Sequence, residues 1–169
     1  VETRLRPSLS EGCSSGTDET NYRTMEELQM DNKIKALAEY LGKSPENLRN
    51  NGDNYIQVVD GFEYLVLTEG EADREAQAYI EDSLWAFNAE FILNICGLDS
   101  SSNVTDSLRE MQNGLCEECN GFLNALIDGT CGIDAFVEAA ILADGRGHFL
   151  NTYDGEEGEQ DGYFIYCIG

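Results

Sequence analysis

The sequence predicts an α+β fold: a small antiparallel sheet, made of an N-terminal hairpin and a C-terminal strand or hairpin, packed on three to five helices. Three observations predict it. Residues 55–68, YIQVVDGFEYLVLT, set β-branched and aromatic runs on either side of Asp60-Gly61, a dipeptide suited to a tight two-residue turn. From residue 69 onward, long stretches carry apolar residues at the three-and-four spacing of helices. The closing residues, YFIYCIG, form an apolar run of strand length.

Residues 1–29 have no sustained apolar period and are rich in Ser, Thr, Glu and Gly. They are expected to be a peripheral leader or tail, with a single domain spanning 30–169. Within it, Ile34, Leu37, Ala38 and Leu41 predict a short helix from Asp31 that Gly42 ends. Ser44 and Pro45 then suit one helical turn. Beyond the hairpin, Thr68 and Glu71 make a capping box for a long amphipathic helix. Ala76, Ile80, Leu84, Phe87, Phe91 and Ile95 line its apolar face, with a break expected near Asp82-Ser83 and an end at Gly97. Thr105 is expected to cap the next helix, which runs through Leu108, Met111, Leu115, Leu123 and Ile127 with weak points at Gly114 and Gly121. AFVEAAILA is a further helix, stopped by Asp144-Gly145. The stretch ADGRGHFLNTYDGEE reads as a helix stop and a connection: Gly147 allows a bend, Phe149 and Tyr153 pin the loop, and the acids face water. Asp161-Gly162 offers a second hairpin, whose acidic first strand would be an exposed edge.

Charge narrows the function classes. There are 33 acids against 10 bases, a formal −23, and residues 75–169 hold 18 acids with only Arg109 and Arg146 as bases. Such a surface repels nucleic acid and anionic membrane and attracts basic proteins. Direct nucleic-acid binding is the function most firmly excluded: Tyr79, Trp85, Phe87 and Phe91 sit at helical spacing with only Arg74 near them, whereas base-stacking platforms need accompanying cations. Spread over the roughly 8,000 Å² expected of a folded chain this size, the net charge gives about one negative charge per 360 Å². Duplex DNA carries about one per 110 Å². Mimicry of DNA therefore requires the acids to be concentrated on one side. No stretch approaches the ~20 apolar residues of a membrane span, and the polar residues at the start of the sequence lack a signal-peptide apolar region, so no export signal is expected from them. A cytoplasmic protein is expected, with its six cysteines mostly free thiols.

Three groups of residues carry candidate chemistry. Cys116 and Cys119, with Cys131 and His148, hold the donor types of a tetrahedral zinc site. Against this, LCEECNGFLNALI is helical in pattern, where residues three apart share a face and cysteine packs as a small apolar residue. They remain weak metal candidates, and no metal or cofactor is assigned. His148 with Asp144 and Arg146 forms a candidate functional turn, since histidine beside a carboxylate can exchange protons. No nucleophile elbow, P-loop or dinucleotide fingerprint accompanies it, so no catalytic residue is assigned. Asp154, Glu156, Glu157, Glu159 and Asp161 form an acidic run that lacks the spacing of a calcium loop and reads as a solvated binding surface.

Three segments, FEYLVLTEGEADREAQAYIEDSLWAFNAEFIL, FVEAAILADGRGHFL and NTYDGEEGEQDGYFIYCIG, together resemble small acidic uncharacterised proteins of bacteriophages and environmental phage sequence. The shared features are the E-Y-L-V-L-T opening, the W-A-F-N helix and the D-G-R-G-H-F-L and Y-D-G-E-E ending. The resemblance spans about residues 61–169. It implies a setting, a phage product in the cytoplasm of a bacterial host. It transfers no catalytic residue. The function expected is a non-enzymatic protein whose anionic surface binds a basic or nucleic-acid-binding host protein. The alternatives are a metal protein or small enzyme centred on His148, Arg146 and the CxxC, and a structural or virion-associated protein.

Overall fold

The computed structural model describes residues 24–52, 54–58 and 61–169. Its five-stranded antiparallel sheet consists of β1 (Leu48–Gly52), β2 (Tyr55–Val58), β3 (Glu63–Thr68), β4 (Gly158–Gln160) and β5 (Tyr163–Cys167), in the order β1-β2-β3-β5-β4. The α+β expectation holds, and the C-terminal strand joins the first hairpin directly: Val66 stands opposite Ile165 and Leu67 opposite Phe164. One strand more than expected is present, because the residues after Pro45 turn back as β1 along β2. A hydrogen bond from the Val58 amide to the Phe62 carbonyl closes the first hairpin, with Gly61 at φ +100°. Asp60 of the expected turn lies outside the described residues. The second hairpin forms at Asp161-Gly162 as expected, and its acidic strand β4 is an edge.

Pleating divides the sheet residues between two cores. Ile56, Val58, Val66 and Ile165 pack with Leu37 and Ala38 of α1 (Met25–Leu41) on one face. Leu65, Leu67 and Tyr166 meet the other helices on the opposite face. Those helices are α2 (Glu69–Asp82), α3 (Ala89–Ile95), α4 (Ser102–Leu115), α5 (Asn120–Asp128), α6 (Ile133–Asp144) and α7 (Arg146–Leu150). An aromatic group fills their centre: Phe136 meets Phe87 and Phe91 edge-on at 5.3 and 5.7 Å, and Phe87 stacks on Phe149 at 6.1 Å.

The first helix starts earlier than the apolar pattern indicates. Thr24 and Glu27 form a reciprocal capping box, so α1 includes residues 25–29, all of them exposed. Residues 1–23 lie outside the described residues. The long central helix breaks at Asp82-Ser83 as expected, and side chains from elsewhere satisfy the broken backbone. Asn120 accepts from the Trp85 amide and donates to the Asp82 carbonyl, while Gln112, buried, donates to the Trp85 and Phe87 carbonyls. The next helix is capped differently from expectation: Ser101 is its N-cap, and Thr105 lies one turn inside it, buried and bonded to the Ser100 carbonyl. Its break falls at Cys116, φ +49°, rather than at Gly114 or Gly121.

Candidate functional site

The C-terminal segment that follows α6 carries Arg146, His148 and the acidic run, and it is more ordered than a simple connection. After Gly145, at φ +80°, residues 146–150 form the short helix α7. Gly147 is needed there for close approach rather than for a bend. A Cβ on it would lie 2.3 Å from the Gly155 carbonyl oxygen. Asn151, buried, accepts from the Tyr153 and Asp154 amides and donates to the Glu156 carbonyl, folding residues 151–156 into a fixed turn. Phe149 is buried as expected, but Tyr153 is 67% exposed and does not pin the loop. Asn151 does that work, because its buried amide bonds three backbone groups, whereas the Tyr153 ring meets only exposed Phe62, edge to face, among the ring contacts of the described residues.

Arg146 organises the charges. It forks onto both carboxylate oxygens of Glu157 at 3.0 Å, reaches Asp73 of α2 at 2.9 Å, and lies 4.2 Å above the Phe164 ring. Glu157 also accepts from the Tyr166 hydroxyl at 2.5 Å. Burial, and next the Glu157 carboxylate, push the Tyr166 phenol well above its ordinary value. Burial works against the Arg146 charge, but the bonds to Glu157 and Asp73 outweigh it and hold the guanidinium protonated. Glu157 is exposed like its acidic neighbours, and it differs from them in being bonded to Arg146 and Tyr166. Asp154, Glu156, Glu159 and Asp161 are exposed as expected.

The candidate turn does not assemble. Asp144 and His148 are exposed, His148 stands edge-on to the Phe149 ring, and Arg146 turns away to Glu157 and Asp73. Among the described residues His148 has no carboxylate bonded to it. Nor do the metal candidates converge: among the described residues no three histidine, cysteine or acidic side chains gather as a metal site requires. The Cys119 thiol, raised by burial, bonds the Cys116 carbonyl, Cys116 is exposed, and Cys131 faces Cys96 with 3.9 Å between sulfurs. The CxxC lies in a single 3-10 turn between α4 and α5, which explains its spacing without a ligand.

One buried charge escaped the sequence reading. Lys33 is 1% exposed and donates to Glu71 at 2.7 Å and Asn54 at 2.6 Å, at the edge of a cavity of about 780 Å³ between α1 and the start of α2. Burial tends to raise the Glu71 carboxyl, but the bonds from Lys33 and Thr68 prevail and hold it below its ordinary value. The signal was its register: Lys33 precedes Leu37 by four residues and so shares the apolar face of α1. No family model, curated protein or solved structure matches the chain.

Proposed function

We propose that this chain is a non-enzymatic binding protein, of the kind of small acidic phage protein it resembles, whose C-terminal half docks on a basic protein of the bacterial host. One observation carries the reading. Both cations of residues 75–169 are consumed within the molecule, Arg146 by Glu157 and Asp73 and Arg109 by Asp106, while Asp154, Glu156, Glu159 and Asp161 stand exposed on one short turn and edge hairpin. The surplus negative charge of this half, a formal −16, is therefore left to external partners. A fixed turn, held by Asn151 and Arg146, presents part of it without an ordering cost on binding.

The test is affinity capture from a bacterial lysate at low salt with a rising salt gradient. The protein is compared with a variant carrying Asp154→Asn, Glu156→Gln, Glu159→Gln and Asp161→Asn. A basic protein held by the native chain, released by salt and not held by the variant, is the expected result. Retention that is independent of salt, or equal for the two chains, overturns the reading.

A further inference from the structure

Where α1 ends, a cavity of about 220 Å³ opens on its face of the sheet. The strand residues Tyr64 and Ile165 form its floor, and the rings of Tyr40, Phe62 and Tyr153 stand around it. Phe62 and Tyr153 meet edge to face with 5.9 Å between centroids. The Tyr40 ring lies against Gly158, where a Cβ would come within 2.6 Å of it. Two carboxylates, Asp154 and Glu156, complete the rim; the Asn151-bonded turn fixes their backbone, and Asp154 Oδ1 accepts from the Glu156 amide. No basic side chain lines the cavity among the described residues. The Tyr64 phenol is raised by burial, then by Cys167, Tyr40 and Asp154, as expected where further negative charge is unwelcome.

We propose that this cavity receives the guanidinium group of an arginine side chain presented by a basic partner protein. The proposal rests on the docking reading above and gives it a point of contact. Its volume falls below the ~300 Å³ at which typical cofactor pockets begin and suits one side chain. Aromatic faces attract cations, and a guanidinium is planar, stacks on rings and sheds water more readily than an ammonium. The two carboxylates supply acceptors for its fork of donors. A lysine would keep its hydration shell and use the rings poorly.

The test uses N-acetyl-arginine amide as probe, with N-acetyl-lysine amide and N-acetyl-citrulline amide as controls, titrated into the full chain with ring-labelled tyrosines observed by NMR. The arginine probe is expected to shift tyrosine ring resonances saturably. Citrulline, its neutral isostere, should leave them unmoved, and lysine should bind about threefold or more weakly. Tyr153→Ala removes an exposed ring and Glu156→Gln removes one carboxylate charge, and each should weaken the arginine probe by about three- to fivefold. No saturable shift, equal shifts with citrulline, or undiminished binding in both variants overturns the proposal. The docking reading is judged separately by the salt-gradient capture. If capture depends on the four acids while the arginine probe fails, the cage falls and the docking surface stands. If the probe binds while capture is salt-independent, the cage stands and the docking reading falls.

Discussion

Replacing Glu71 by alanine is expected to destabilise the protein more than any other single loss of charge in the described part of the molecule. Glu71 Oε2 accepts from the Lys33 ammonium at 2.7 Å, the Thr68 amide at 2.7 Å and the Thr68 hydroxyl at 2.9 Å. Its loss strands a lysine that is only 1% exposed, with Asn54 as its remaining hydrogen-bond partner among the described residues. Breaking a buried pair in this way costs about 3 kcal/mol, near the lower end of the range because the Asn54 bond persists. Losing the capping box of α2 adds about 1 kcal/mol. For a domain of this size the total of about 4 kcal/mol lowers the melting temperature by roughly 12 °C. Lys33→Met should cost only about 1 kcal/mol, since Glu71 is 20% exposed and keeps its Thr68 bonds. The double variant should be more stable than Glu71→Ala alone, because no ammonium is left stranded. Urea denaturation at neutral pH reads all three. Because the Glu71 carboxyl sits below its ordinary value, its contribution is present above that value and fades as the pH falls through the lowered one. Equal losses from Glu71→Ala and Lys33→Met, or a loss below about 1 kcal/mol for Glu71→Ala, would refute the argument.

The other expectations follow from the C-terminal segment and the thiols. Gly147→Ala drives a Cβ into the Gly155 carbonyl and should cost about 2–3 kcal/mol in denaturation. Arg146→Met should cost about 2 kcal/mol and speed amide hydrogen exchange across residues 151–157, while leaving α1 protected. Tyr166, raised far above the ordinary phenol value, contributes stability that is complete below pH 10 and declines as the pH climbs above it. A Tyr166→Phe variant should therefore show a shallower alkaline loss of stability. In a Cys13→Ser background, a thiol reagent should modify exposed Cys116 at least about tenfold faster than buried Cys119 or Cys96, whose thiols burial has raised.

What was legible in the sequence was whatever depends on local periodicity. Leu84, Ile80 and Ala76 repeat at helical spacing and are all buried, and Val66 and Ile165 alternate as strand residues must. The capping box at Thr68 and the helix stop at Gly145 depend on neighbours in sequence, and both are present. The site was less legible because its contacts are non-local. Arg146 meets Asp73 across 73 positions of chain, Gln160 meets Glu39 across 121, and no short window contains either pair. β1 was missed because its residues, LRNNG, have the composition of a turn, and only pairing with β2 makes them a strand. Glu157 was grouped with its acidic neighbours because composition cannot distinguish a solvated carboxylate from one that an arginine and a tyrosine already hold.

The distribution of ionic bonds bears on how so acidic a chain stays folded and what its surface can do. A formal −23 favours expansion through self-repulsion, and the few cations must be placed where they count. Lys33 joins α1 to the start of α2 and, through Asn54, to the turn between β1 and β2. Arg146 joins the C-terminal turn to α2 and, through Glu157 and Tyr166, to β5. Each cation thus ties together elements distant in sequence, at sites where burial strengthens the interaction. The exposed acids at 154, 156, 159 and 161 have no cation of this kind bonded to them among the described residues, and neutralising them would add no fold-wide connection. Replacing those four by amides should therefore leave denaturation stability within about 1 kcal/mol of the native chain, or raise it by relieving repulsion, while abolishing salt-sensitive retention of a basic partner. Stability and binding would then be separable in the same set of carboxylates. Arg146→Met should do the reverse in part: it loosens the turn that presents Asp154 and Glu156, and so weakens binding through order rather than through charge.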